Sequence, residues 1–68
     1  MYSGYMEGEM KKFSIAYVTE SGTLVLRTVE APDILSALNL VFGCLENSVA
    51  DIECYLANAG WACEYMEV

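Results

Sequence analysis

Histidine is absent from this sequence, and no lysine or arginine occurs between Thr28 and Val68. The first absence removes the side chain that most often moves protons near neutral pH. The second removes the cations that hold phosphate, so direct nucleic-acid binding is not expected of a chain with three basic residues in all. Cysteine is sparse: Cys44, Cys54 and Cys63 are an odd number at wide spacing, with no C-x-x-C pair. A zinc site needs about four Cys or His ligands, so neither a metal nor another cofactor is expected. The thiols read as reduced, packed as small apolar side chains, in a chain with no secretory signal and hence cytoplasmic. No apolar run approaches the roughly 18 to 20 residues of a membrane span, and anionic lipid repels an acidic chain. None of the glycines forms a phosphate-cradling loop.

These absences also remove most enzymatic chemistry. No serine or cysteine stands in a motif that would activate it. The carboxylates Asp51 and Glu53 share a face on a strand but diverge on a helix, and so short a chain hardly provides the cleft that paired carboxylates need. The expectation is a protein that binds and does not catalyse.

What is present is apolar and acidic. A chain of 68 residues has room for one domain, and chains of this size bury only about 60% of their unfolded surface. The hydrophobic fraction of 56% is high enough to supply a second buried surface, so a homodimer is one expected state. The net charge of -7 is unevenly placed. Up to Arg27, Glu7, Glu9 and Glu20 balance Lys11, Lys12 and Arg27; the excess lies wholly in Glu30, Asp33, Glu46, Asp51, Glu53, Glu64 and Glu67.

Residues 1–9 show no usable period and read as a flexible leader to a single α+β domain over residues 10–68. Lys12 to Thr19 alternates Phe13, Ile15 and Tyr17 with Ser14, Ala16 and Val18, the period of a strand. A second strand runs from Thr23 to Glu30, joined through Glu20-Ser21-Gly22. A two-residue loop pairs Tyr17 with Leu26, whereas a three-residue loop with a bulge pairs it with Val25. Either register leaves apolar side chains on both faces, and the face not used by the core can be covered by another subunit. Lys11 and Lys12 read as a solvated strand edge.

Pro32 suits a first helical position, and a helix is expected from Pro32 to about Asn47, with Ile34, Leu38, Val41, Phe42 and Leu45 as its apolar stripe. Leu40 falls towards the polar side and is a candidate dimer contact. Ser48-x-x-Asp51 resembles a capping box, and Ile52, Tyr55, Leu56 and Ala59 follow helical spacing up to Gly60. A second helix from Val49 to Ala59 is therefore expected, with a strand over the same residues as the rival. Trp61 to Glu67 alternates as a final strand. The expected architecture is β-β-α-α-β, a three-stranded antiparallel sheet with two helices on one face; β-β-α-β-β is the alternative.

A compact domain that displays carboxylates without intervening cations can compete for a groove built to receive nucleic acid. An acidic surface also serves solubility alone. The hairpin leading through Thr28-Val29-Glu30-Ala31-Pro32-Asp33 into an amphipathic helix, with an acidic second half, resembles small phage-encoded accessory proteins, including anti-CRISPR proteins. The resemblance implies an inhibitor that acts as a DNA mimic on a basic nucleic-acid-binding surface of a host protein. On that reading Asp51, Glu53, Glu64 and Glu67 are the leading partner-binding residues, with Glu30, Asp33 and Glu46 behind them. The competing expectation is a structural or assembly module that binds through its apolar sheet face and the Leu40 side of the helix.

Overall fold

A computed structural model of the chain describes residues 9–68; apart from Glu9, the expected leader lies outside the described residues. The element order is β1 (Lys11–Val18), β2 (Leu24–Ala31), α1 (Ile34–Phe42), α2 (Val49–Asn58) and β3 (Ala62–Glu67). This is the β-β-α-α-β order, so Val49 onward is a helix and not a strand. The sheet is antiparallel with the order β2-β1-β3. Because β1 pairs on both sides, Lys11 and Lys12 open the central strand and do not blunt an edge.

The hairpin settles the register. Gly22 takes φ 89°, a left-handed conformation that costs other residues about 1–2 kcal/mol. The Gly22 amide donates to the Thr19 carbonyl at 2.9 Å, and the Thr19 amide to the Thr23 carbonyl at 3.0 Å. The loop is thus the three-residue form, and Tyr17 stands opposite Val25. A shift of one residue would turn every side chain of β2 to the other face. In the observed register Val25 and Val29 turn towards the helices, and Leu24 and Leu26 turn away from them.

The core is small and lies between the sheet and the helices. Phe13 and Ile15 of β1, Ala31 of β2, Ala37 and Leu38 of α1, and Ile52 and Leu56 of α2 are its buried apolar residues. Tyr17, Val29, Ile34, Val41, Phe42, Cys63 and Trp61 pack around them at partial exposure. Burying such side chains fully is worth roughly 1.5–3 kcal/mol each before chain entropy is subtracted. So few of them leave a thin margin.

Several sequence expectations change here. The first helix begins at Ile34, not Pro32, because Asp33 is extended (φ -154°, ψ 172°) and accepts the Ser36 amide at 2.8 Å as the N-cap. It ends at Phe42, not near Asn47, because Gly43 turns left-handed at φ 66°. Leu45, expected on the apolar stripe, therefore falls in the connector and is 94% exposed. Asn39, which the helical wheel places on the outer face, holds that connector. Its side-chain oxygen accepts from the Glu46 amide (3.0 Å) and the Cys44 thiol (3.2 Å), and its amide donates to the Glu46 carbonyl (3.1 Å). Of the three free thiols, Cys44 and Cys63 are half-buried, but Cys54 is exposed and not packed in the core.

The second helix follows its capping signal. The Ser48 hydroxyl accepts the Asp51 amide at 3.2 Å, and the helix closes before Gly60.

A side chain at Gly22 would meet nothing within 4 Å, so its replacement acts through the backbone alone. Gly22→Ala should lower unfolding stability by about 1–2 kcal/mol, read as a lower urea midpoint with an unchanged slope.

Candidate functional surfaces

The alternation of each strand sorts the predicted carboxylates between the two sides of the sheet. Glu64 lies opposite Ala16, on the face away from the helices, whereas Glu67 lies opposite Phe13, on the helix side. Glu53 also faces the helix side of β3, where it accepts the Tyr65 hydroxyl at 3.3 Å. Burial, and then the Glu53 charge, push the Tyr65 hydroxyl and the Cys63 thiol above their ordinary pKa values. Asp51 sits in the first turn of α2, where the helix dipole favours its charge. Asp51 and Glu53, two apart on a helix, diverge by about 200°. The four leading carboxylates are exposed but do not form one surface: Glu53 and Glu67 share a side, and Glu64 points the other way.

The secondary three divide as well. Glu30 stands directly opposite Lys12, so a cation neighbours it across the strands. Glu46 is half-buried, its backbone clamped by Asn39. The Asp33 carboxylate is committed to its helix. The hydrogen bonds from the Ser36 backbone and side chain hold its pKa below the ordinary 3.8, with Lys11 adding a smaller pull.

The face of the sheet away from the helices carries Lys12, Ser14, Ala16 and Val18 on β1, Leu24, Leu26, Thr28 and Glu30 on β2, and Ala62, Glu64 and Met66 on β3. Its hairpin end is apolar apart from Glu64, and its other end is polar apart from Met66. Leu24, Leu26 and Met66 are 69%, 71% and 65% exposed. Ser14 and Ala16 are short, and they lie on the strand between these taller side chains. The result is a trough along β1 with hollows of about 280 and 210 Å³ on either side of Ala16. Leu40 is exposed too, but α1 lies on the other side of the sheet, so Leu40 and the trough cannot belong to one flat contact.

A third surface lies where the hairpin loop meets the helix ends. The Trp61 ring stacks on Tyr17 at 5.5 Å with 6° between the planes, and Phe42 meets both rings edge-on at 4.9 and 6.4 Å. The Trp61 indole N–H donates to the Glu20 carboxylate. Beside this cluster is a cleft of about 430 Å³ lined by Glu20, Phe42, Tyr55, Leu56, Ala59 and Trp61. Strand alternation and helical period assign these side chains to separate parts of the chain, so nothing in the sequence joins them. Their one common signal is aromatic residues recurring at element ends.

Among the described residues no group of three or more Cys, Asp or Glu side chains is placed to hold a metal ion, and no helix is long and apolar enough to cross a membrane. The chain matches no protein-family model, no curated protein and no solved structure.

The depressed pKa of Asp33 gives a signed pH dependence. A carboxyl that is more acidic in the folded chain stabilises the fold above its unfolded pKa, and that contribution is lost as pH falls through the folded value. Asparagine caps a helix comparably but does not titrate. The thermal-midpoint advantage of the native chain over Asp33→Asn should therefore persist from neutrality down to about the ordinary 3.8 and disappear below it.

Proposed function

We propose that this chain is a non-catalytic protein-binding module that seats a second copy of itself on the open face of its sheet. The trough over Ser14 and Ala16, walled by Leu24, Leu26 and Met66 with Glu64 on its β3 side, is the observation that carries this reading. Antiparallel sheets commonly leave one face to water, but that face is then polar in alternation with the core face. Here its hairpin half carries Val18, Leu24, Leu26 and Ala62, with Glu64 of β3 as its one charged side chain.

Magnitudes favour a covered face. Strands about 4.8 Å apart, rising about 3.3 Å per residue, give the open face a footprint of roughly 350 Å² before side-chain relief is counted. Two such faces packed together would bury on the order of 1,000 Å² in total, the lower end of specific interfaces. Sheets pack face to face at about 10 Å, a distance that short side chains on the central strand suit. A core this small gains proportionately from the added apolar burial.

Light scattering coupled to size exclusion tests the reading. The native chain should run as a dimer that added salt does not dissociate, since salt screens the repulsion between two acidic copies, and Leu26→Glu should give a folded monomer. Leu40→Glu, on the opposite side, should leave the dimer intact. A native chain that is monomeric at high concentration, or a dimer that survives Leu26→Glu, would overturn it.

A second reading rests on the distribution of charge. Asp51, Glu53 and Glu67 are exposed on the helix side and Glu64 on the other, with no Lys or Arg after Arg27 to neutralise them. This supports an inhibitor of the phage-encoded, anti-CRISPR-like kind, one that offers carboxylates to a basic, nucleic-acid-handling host protein. Its contact would use the Glu53 and Glu67 side. In a pull-down from host extract, a basic partner retained at low salt should be released at high salt and lost on charge reversal of Glu53 and Glu67. Retention unaffected by both would refute it.

A further inference from the structure

We propose that the cleft beside Trp61 receives an arginine side chain presented by a partner protein, with the guanidinium against the aromatic walls and bonded to the Glu20 carboxylate. Trp61, Phe42 and Tyr55 line the cleft together with Glu20, and Leu56 and Ala59 complete it. Aromatic ring faces are electronegative and attract cations, tryptophan most strongly. A carboxylate at the same cleft adds a full negative charge. Among the described residues no cationic side chain lines it, so nothing there would hold an anion. A purely apolar occupant would strip water from Glu20 and return no hydrogen bond.

The chemistry selects within the cations. The guanidinium is planar, weakly hydrated and able to stack and donate at once, whereas the lysine ammonium is a compact, strongly hydrated point charge. Glu20 is held in place before any ligand arrives. One of its carboxylate oxygens accepts the Trp61 indole N–H, which leaves the other to accept from the guanidinium. Its Cβ stands 3.4 Å from where a side chain on Gly60 would begin, so the hairpin loop lies close against the α2–β3 turn. Trp61 is in turn fixed by its stack on Tyr17. A carboxylate already bonded to a stacked indole has less entropy to lose on binding than a free one.

This cleft is independent of the trough. The cleft and the trough share no lining residue, and Tyr17, which borders the trough beside Ala16, alternates its side chain to the helix side of β1 where Trp61 stacks on it. The inference therefore goes beyond the proposed dimer and stands or falls separately.

Trp61 is the only tryptophan in the chain, so its indole N–H gives a single NMR signal in the site. Titration of the full chain with acetyl-arginine amide should move that signal saturably in the millimolar range. Acetyl-glutamine amide, similar in shape but uncharged, should not. Glu20→Gln keeps an acceptor for the indole and should weaken arginine binding by about tenfold, as expected for loss of a charge-assisted bond. Tyr55→Leu, at an exposed residue, should weaken it without touching the carboxylate. Leu26→Glu should leave the titration unchanged whatever it does to the oligomer. Equal response to the glutamine and arginine compounds, or no loss in Glu20→Gln, would overturn the proposal. Equal binding of acetyl-lysine amide would overturn the arginine assignment.

Discussion

The register of the first hairpin is the constraint on which the rest of the structure depends. Gly22 allows a loop of three residues, and an odd loop places Val25 and Val29, not Leu24 and Leu26, towards the helices. Two leucines that would serve well in a core are thereby committed to the outside. The helices then close over Phe13, Ile15 and their neighbours, and the opposite face is left with Leu24, Leu26 and Met66 exposed around Ala16 and Glu64. Which apolar side chains it carries follows from loop length, because the alternation of the strand is compatible with either face.

A second constraint acts on the helices. Gly43 stops α1 after nine residues, and Asn39 ties down the connector that follows. This short link lets α2 lie beside α1, and β3 then enters next to β1, on the side opposite β2. The chain crosses from one edge of the sheet to the other through the two helices. The last strand therefore brings Glu64 and Met66 onto the open face, and Cys63, Tyr65 and Glu67 under α2. The acidic second half is divided by this pleat, and that is why a run of carboxylates without cations does not become one carboxylate surface.

Much of the architecture is legible in the sequence because it rests on local signals. Phe13, Ile15 and Tyr17 show a strand, Ser48 and Asp51 a helix start, and Gly60 a stop. The strand rival over Val49 to Ala59 fails because the capping box and the helical spacing of Ile52 and Leu56 agree. What the sequence leaves ambiguous is decided by backbone geometry. The wheel carries the first helix on to Leu45, since a periodic pattern does not register that Gly43 has turned left-handed. Pro32 suggests a helix start, but Asp33 is the better cap and takes the position. The surfaces are least legible. Both hairpin registers put apolar residues outside, so the open face is foreseeable but its composition is not. The meeting of Glu20 with Trp61 spans 41 residues, beyond any local pattern.

That long contact bears on how the chain folds. The hairpin and the two helices are built from near neighbours in sequence and can form early, whereas the indole reaches Tyr17 and Glu20 only when β3 has closed against β1. β1 and β3 are the paired strands farthest apart in sequence, so closing them bears the largest loop entropy in the fold. The environment of the single tryptophan therefore reports the final step of folding, and its emission should lag behind the signal from helical backbone.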